Sequence, residues 1–488
     1  MGRPYTETCG APVLGEIRRS IDSSLPTAQT EHRKVSNLQG LAAFSPDALA
    51  SIGYADQEIY LGLVVCGSIG LSLAFPIALT ITVLLTLLAL SYYQITQTFP
   101  SGGGSYTVAR SNFGTVPGLV AAAALIVDYL LNVAVSLTTG VDAITSAFPQ
   151  LLADKVFLSL LLLAAITILN LRGMRETGIV MAIPVYLFLV AYLSMLAYGG
   201  VRLSIQGPVS LISTAPPAIV PLTTLLVLRT FSTGCTAVTG IEAISNGVPS
   251  FRPPATKNAG QTMIIMSLLM GTLFLGSVGL TQMLGVVAGP QETILSALAR
   301  HLMGSGPAYL IVQAVTLIML TVGANTSFVG LPRLLSVMAE DKFLPKPLTK
   351  VNSRGVFANG ILLLSLSAGV LIVAFSGSSH ALVPLFAVGV FLAYTLSQAG
   401  MVRHWWRERG RRWTPKAILN GVGALATGIT FVIVGFTKFA GGAWIALLLI
   451  PMLVLLFLQV HNRRKEIVPE FSSPSVVQVT LSSANIVT

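Results

Sequence analysis

Charged side chains are scarce in this chain of 488 residues. They make up 10% of it, whereas about a quarter of the residues in a soluble domain are charged. Hydrophobic residues make up 53%. This balance excludes an ordinary soluble domain and indicates an all-α integral membrane protein, because helices are one of the two structures that satisfy every backbone polar group within a bilayer.

Cysteine and histidine are also rare, and their positions argue against several classes of protein. The three cysteines have no paired spacing, so a disulfide framework and a zinc site are both unsupported. The five histidines fall in predicted tails or connections, and we expect none of them beside a buried acid. With no nucleophile–base pair, we expect no enzyme, no cofactor and no metal beyond a transported cation.

Two further motifs are missing. No phosphate loop of the Gly-x-x-x-x-Gly-Lys-Ser/Thr kind occurs, which argues against an ATP-driven pump. No Thr-Val-Gly-Tyr-Gly filter occurs, which argues against a channel of that kind.

Long apolar runs dominate what is present. A helix needs about 20 apolar residues to span a bilayer, and about twelve stretches qualify. We expect a transporter domain over 41–461, flanked by cytoplasmic tails at 1–40 and 462–488, and the first forty residues contain no apolar core of a signal peptide. The candidate spans are 46–68, 73–98, 117–147, 153–171, 177–201, 220–247, 260–288, 307–335, 357–376, 380–401, 417–437 and 441–460.

Lysine and arginine concentrate in alternate connections and in the tails. By the positive-inside rule this bias predicts that both termini are cytoplasmic, in a multi-pass protein of the plasma membrane. The cluster from Arg403 to Lys416 contains tryptophans and directly follows a span. It is therefore expected to contact anionic lipid rather than nucleic acid.

Three carboxylates lie inside predicted spans, namely Asp47, Asp128 and Glu242. A charge at the bilayer centre costs about 3 kcal/mol or more, so such residues usually face a cavity or a partner and serve transport. Their presence points to a transporter that handles protons or cations.

The sequence predicts that the first and sixth spans are interrupted. Pro46, Gly53 and the acids Asp56 and Glu58 interrupt the first, and glycines with threonines at 233–240 interrupt the sixth. An offset of five spans between two interrupted helices predicts an inverted repeat, 41–205 against 215–402, with the two helices in 413–461 peripheral. The alternative is that these small residues only allow close helix packing, which leaves the acids unexplained.

Each acid also has a structural interpretation. Glu242 lies three residues beyond Thr239, so both face one cavity on a resumed helix, unless helix-end amides satisfy the carboxylate. Asp128 is either a proton relay or the partner of a loop arginine, and Asp47 is either functional or an N-cap. Arg229, the one cation within a span, is expected to pair with Glu58 or Asp56 or to extend to the interface.

Several phrases resemble the amino acid–polyamine–organocation (APC) superfamily. FPSGGGSYTVARSNFG (99–114) is similar to its Pro-x-x-Gly-Gly-x-Tyr signature, and TGIEAISNGVPSFRPPATKNAGQTM (239–263) to the end of its sixth span. Within the superfamily, the chain resembles the KimA-type potassium–proton symporters. The phrases that carry this resemblance are SPDALASIGY, VDYLLNVAVS, TSAFP, NLRGMRETG, GCTAVTGIEAISN and LVPLFAVGVFLAYTLSQAGM. The resemblance implies a fold like the leucine transporter's, with a 5+5 inverted repeat and broken helices 1 and 6.

The resemblance also implies roles for individual positions. The implied proton-coupling residues are Asp47, Asp128, Tyr129 and Glu242. The implied cation-binding positions are Tyr54, Asn132, Ser136, Thr239, Glu242 and Phe386. Two of these depart from the family pattern, because Asn132 stands where a threonine helps to coordinate the cation and Phe386 stands where a tyrosine is found.

We therefore expect proton-coupled uptake of a monovalent cation, with potassium as the expected ion. The alternative is a proton-coupled amino acid or amine permease of the same superfamily. ASIGYADQE (50–58) has a single glycine and two acids, rather than the stretch of free amides that would hold a substrate carboxylate. The expected partners are the ion or small solute, protons and the bilayer, and homodimerisation is left open.

Overall fold

The computed structural model describes residues 34–173, 178–289, 291–410 and 412–467. Most of the two predicted tails, 1–33 and 468–488, lies outside the described residues. The chain divides into two units, residues 1–34 and 35–488, and the helices below lie in the second. Within the described residues the secondary structure is helical, apart from an isolated bridge between Val35 and Phe251. The predicted all-α membrane class is confirmed.

We number eighteen α-helices in chain order within the described part of the chain. They are α1 Asn37–Phe44, α2 Pro46–Val64, α3 Gly67–Leu71, α4 Ala74–Thr98, α5 Ser105–Phe113, α6 Thr115–Ala147, α7 Lys155–Leu171, α8 Gly178–Gln206, α9 Leu211–Thr214, α10 Thr224–Gly234, α11 Glu242–Asn246, α12 Ala255–Met283, α13 Ile294–Met303, α14 Pro307–Glu340, α15 Ala358–Ala374, α16 Ser379–Glu408, α17 Trp413–Thr437 and α18 Trp444–Ile467.

Ten helical stretches of the described residues are long and apolar enough to cross a membrane. Two further predicted spans form helices that fall short of that standard. The helix α2 has 19 residues but carries three acids, and α15 is apolar but has 17 residues. The total of twelve spans and the inverted repeat remain predictions.

Of the residues predicted to interrupt the first span, only Pro46 does so. The helix α2 continues unbroken through Gly53, Asp56 and Glu58, so the break predicted at those residues is wrong. The chain instead divides between α1 and α2 at Ser45, because Pro46 lacks an N–H and starts a new helix. The helix α1 begins at Asn37, before the predicted end of the tail at residue 40.

The predicted interruption of the sixth span is confirmed. The helix α10 ends at Gly234, a 3₁₀ turn covers Cys235–Val238, and Thr239 is extended before α11 begins at Glu242. Gly240 has φ +80°, and a Cβ there would lie 2.6 Å from the backbone nitrogen of Ala48. Both the left-handed backbone and the close approach require glycine, and together they place the break against the first turn of α2.

The helix bundle has two ends, which we call the basic face and the opposite face. The basic face consists of the connections 99–104, 247–254 and 341–357, where Gly103 N–H donates to the Ser245 carbonyl and Arg110 pairs with Asp341. The opposite face consists of the connections 65–73, 148–154, 284–289 with 291–293, and 375–378, together with Lys438. There Ser379 donates to Asp142 at 2.7 Å, so α16 and α6 meet.

Candidate ion-binding site

Three buried acids approach one another beside the break between α10 and α11. Asp47 lies in the first turn of α2, Asp128 in the middle of α6, and Glu242 at the start of α11. Each is at most 6% exposed. Each interacts electrostatically with the other two. The structure therefore brings together three acids that are separated by up to 195 residues in the sequence.

No described lysine or arginine neutralises these acids. The ion pairs between described residues involve other carboxylates, those of Asp341, Asp142, Glu292, Glu58 and Glu408. Burying an unpaired carboxylate costs several kcal/mol, so such a group is stable only when protonated or when a cation accompanies it. The cluster is therefore suited to binding protons and cations.

Glu242 has a neutral hydrogen-bond donor. The Tyr394 hydroxyl of α16 lies 2.6 Å from Oε2 of Glu242 and 3.1 Å from the carbonyl oxygen of Val238. A phenol carries one proton, so it donates to only one of these acceptors at a time. Tyr394 thus connects the carboxylate to a backbone oxygen that the helix break has exposed.

Tyr54 and Thr239 join α2 to the extended residue of the break. Their hydroxyl oxygens lie 3.2 Å apart, and the Thr239 hydroxyl donates to the Thr236 carbonyl at 3.1 Å. Phe386 packs edge-on against Tyr54, with ring centroids 6.2 Å apart. Phe386 therefore borders the site without offering an oxygen to it.

Asn132 forms the polar link between α6 and α14. Its Nδ2 donates to Ser327 Oγ at 2.9 Å, and the Ser136 hydroxyl donates to its Oδ1 at 3.1 Å. Its side chain also lies beside Asp47. Asn132 and Ser136 thus lie together beside Asp47.

Two oxygens of the cluster have no hydrogen-bond partner among the described residues. They are Oδ1 of Asp47 and Oδ1 of Asp128. Leaving a buried polar atom unsatisfied costs about 1–3 kcal/mol. Unsatisfied atoms of this kind, within a cluster of acids, are what a binding site for a proton or an ion requires.

Tyr129 lies at the edge of the cluster. It is half-buried, and a Cβ on Gly330 of α14 would lie 2.8 Å from its ring. It interacts electrostatically with all three acids. The structure thus places Tyr129 between the acids and α14.

Sequence reasoning missed Tyr394, Ser327 and Tyr92. Tyr394 lies within the phrase at 382–401 that carries the family resemblance, and an intramembrane tyrosine in an apolar run was the available signal. Tyr92 of α4 stacks edge-on against Tyr394, with centroids 5.5 Å apart. Ser327 gave no signal, since a serine in a transmembrane helix is ordinary.

One histidine does lie beside a buried acid, contrary to the sequence expectation. His380 Nδ1 is 2.7 Å from Oε1 of Glu58, which is 3% exposed. The expectation is wrong because the connection that precedes His380 leads directly into α16, whose first turn reaches α2. Arg229 is exposed, and no ion pair with Glu58 or Asp56 occurs among the described residues.

Comparison with known proteins identifies a family of membrane permeases and a similar potassium transporter. Residues 48–465 match the family model described as amino acid permease. The chain is 39% identical over 445 residues to the potassium transporter KimA of Bacillus subtilis, an alignment that covers 91% of this chain and 73% of that protein.

Solved structures give a weaker likeness. Crystal structures of the Eremococcus coleocola manganese transporter match with TM-scores of 0.45 and 0.46 and with 12–13% identity. The alignments cover 87% of this chain and 94% of the transporter, which was solved with a bound aromatic bis-isothiourea compound and also as single-residue mutants.

Proposed function

The chain belongs to the amino acid permease family, and we propose that it takes up a monovalent cation, potassium, together with protons. It is a multi-pass membrane transporter, as its family and its helices show. The observation that carries the choice of a cation is the set of three mutually interacting buried acids without a described cationic partner. The 39% identity to a potassium transporter supports the choice of ion.

The proposed cation ligands are oxygens at the break. Hard monovalent cations prefer carbonyl, hydroxyl and amide oxygens, and their selectivity depends on the number and field strength of these ligands. Such groups surround Asp47: the hydroxyls of Tyr54, Thr239 and Ser136 and the amide of Asn132. The unpartnered Oδ1 of Asp47 compensates the charge of the ion. Phe386 limits the site on one side.

The proposed proton carrier is Glu242, with Tyr394 as the group that responds to its charge. When Glu242 is ionised, the Tyr394 hydroxyl donates to it at 2.6 Å. When Glu242 is protonated, the need for a donor falls and the same hydroxyl is free to turn to the Val238 carbonyl. The position of the Tyr394 hydroxyl thereby depends on whether Glu242 carries a proton, which links the carboxylate to the backbone of the helix break. Asp128 and Tyr129 extend the path for protons.

The proposed membrane placement follows the charge bias of the sequence. The basic face contains Arg252 and Arg354 and is assigned to the cytoplasm of the cell, with both termini on that side. Lys416 lies 4.2 Å from the ring centroid of Trp405, and Trp406 is 58% exposed beside Arg409. We assign this cluster to the lipid interface, where aromatic and basic residues anchor helices and attract anionic headgroups.

The test is uptake of rubidium, a potassium tracer, into proteoliposomes that hold an inward proton gradient. We expect saturable, gradient-driven uptake by the wild-type protein, which is lost in Glu242→Gln and kept in the control Glu340→Gln. Glu340 is exposed at the end of α14. Absence of uptake by folded, monodisperse wild-type protein would contradict the cation proposal, and labelled amino acids and amines would then be tested in the same vesicles.

A further inference from the structure

A fourth buried acid lies outside the site described above. Asp56 is 5% exposed and follows Tyr54 by two positions on α2. Two residues correspond to about 200° around a helix, so Asp56 points away from the side that Tyr54 presents to the break. It faces α12 and α8 instead, and neither the proposed cation site nor the proposed proton path uses it.

The carboxylate of Asp56 is only half satisfied. Ser277 of α12 donates to its Oδ2, whereas its buried Oδ1 has no hydrogen-bond partner among the described residues. The Tyr192 hydroxyl of α8 is also buried and unpartnered. It interacts electrostatically with Asp56 and lies beside Ser277. The unpartnered Oδ1 of Asp56, with two hydroxyl groups beside its carboxylate, leaves room for a ligand in its coordination.

A small cavity adjoins Asp56. Its volume is about 20 Å³, and most of its lining is apolar. Asp56 lines it together with Tyr60, Thr281 and Gln282, whereas Ser277 and Tyr192 lie outside it on the other side of the carboxylate. Thr281 lies one helical turn beyond Ser277, so both hydroxyls are on one face of α12. A cavity of this volume holds about one water molecule or one dehydrated monovalent ion.

The cavity lies between the acid cluster and the opposite face of the bundle. Leu211 and Ile294, which also line it, belong to α9 and α13 in the connections that follow α8 and α12. Near it, Tyr60 donates to the Ala288 carbonyl at 3.3 Å, so the opposite-face connection closes over α2. An ion that arrives from that face and travels along α2 reaches Asp56 before Asp47.

The nearest charged groups do not neutralise Asp56. Glu58, two residues along α2, pairs with His380 of α16, and its other charged neighbour is Lys438. Glu292 pairs with Arg300. None of the ion pairs between described residues includes Asp56.

We propose that Asp56, Ser277 and Tyr192 form a second monovalent-cation site, filled from the opposite face. A carboxylate with hydroxyl and phenol oxygens is a suitable ligand set for a hard cation. The site holds one ion before that ion moves to the acids at the helix break. This proposal rests on the proposed function, because its ligand is the transported ion.

The test compares Asp56→Asn with wild type at varied external rubidium in the proteoliposome assay. We expect the KM for rubidium to rise by about tenfold while the maximal rate changes little, because the variant weakens capture and leaves the central site intact. Asp154→Asn is the matched control, since Asp154 is an exposed acid of the opposite face. It is expected to keep the wild-type KM.

A second measurement detects rubidium binding without transport, through its effect on thermal stability. Rubidium should raise the apparent Tm of purified wild-type protein, and a higher rubidium concentration should be needed for half of that effect in Asp56→Asn. If Asp56→Asn does not yield monodisperse protein, Ser277→Ala and Tyr192→Phe replace it. We expect both variants to raise the rubidium KM and the rubidium concentration for half of the Tm effect, by less than Asp56→Asn.

The outcomes separate the two proposals. Wild-type protein without rubidium uptake contradicts the proposed function itself. Wild-type uptake together with an unchanged rubidium KM and an unchanged Tm response in the variants contradicts only the second site. A third outcome is a variant whose rubidium uptake depends differently on pH while its rubidium KM is unchanged. That result would show that Asp56 binds a proton, which also overturns the cation site.

Discussion

At the scale of single residues, the phenol of Tyr394 is the donor that lets a carboxylate remain at Glu242. The two residues lie 152 positions apart in the chain, and their contact is 2.6 Å long. A hydrogen bond to a charged group contributes about 1.5–3 kcal/mol. If Glu242 carries the proton as we propose, removing the hydroxyl favours its protonated state and weakens the release of its proton.

We predict that Tyr394→Phe lowers the rate of gradient-driven rubidium uptake by about 10- to 100-fold, which corresponds to that range of energy. The control is Tyr309→Phe, because Tyr309 is a buried tyrosine whose hydroxyl lies 2.8 Å from Ser296 and outside the cluster of Asp47, Asp128 and Glu242. Equal rates for the two variants would show that Tyr394 only packs.

The acids could be predicted from the sequence, and their partners could not. A carboxylate in an apolar run is visible without knowing the fold, since its cost is local. The contacts of Asn132 with Ser327 and of Glu242 with Tyr394 depend on which helices become neighbours, over 195 and 152 residues. Sequence reasoning therefore misses Tyr394, although the resemblance covers its segment.

At the scale of elements, the two interrupted helices show where local sequence suffices. The break before α11 is predictable because glycines and threonines are poor helix formers when they occur together. The break predicted at Gly53 is wrong, since a glycine inside a helix costs only about 1 kcal/mol and packing offsets it. Pro46, which cannot donate a hydrogen bond, has the stronger effect.

We predict that Gly240→Ala destabilises the protein by about 3 kcal/mol or more and abolishes transport. A left-handed conformation costs an alanine about 1–2 kcal/mol, and the new Cβ would also lie 2.6 Å from the Ala48 nitrogen. Gly304→Ala isolates the first effect, because Gly304 has φ +71° with nothing within 4 Å of its Cβ position. Thermal unfolding in detergent measures both, and equal losses would mean that the approach to α2 is unimportant.

At the scale of the whole molecule, the opposite face contains a buried lysine between two spans. Lys438 is 4% exposed, and burial lowers its pKa to about 8, although Glu58 acts in the other direction. In the unfolded chain the pKa is about 10.4. Between these values the unfolded state binds more protons, so stability rises with pH from about 8 to about 10.4.

We predict that the apparent Tm of wild-type protein rises across this pH range relative to that of Lys438→Met. Below pH about 8 the lysine is protonated in both states, so the penalty of burying its charge is fully present. Glu58 loses a neighbouring charge in the variant, so the slope with pH is the quantity to compare rather than the Tm itself. Parallel profiles for the two proteins would contradict the argument.

The orientation of the bundle provides a further prediction. In a background with Cys9, Cys66 and Cys235 replaced by alanine, a membrane-impermeant maleimide added to intact cells should label Asp154→Cys and not Ser353→Cys. Both positions are exposed, the first on the opposite face and the second on the basic face. The reverse pattern would overturn the assignment of the basic face to the cytoplasm.

The depth of the acid cluster has an electrical consequence. From Asp47 to the end of α2 the helix rises about 26 Å. In contrast, α11 extends only about 6 Å from Glu242, and its Ser245 carbonyl accepts from Gly103 at the basic face. In the proposed membrane placement, a cation that enters from the opposite face therefore crosses most of the transmembrane voltage drop before it reaches Asp47. The membrane potential, which is worth about 2.3 kcal/mol per charge at 100 mV, acts mainly on the arrival of the ion and only slightly on its departure.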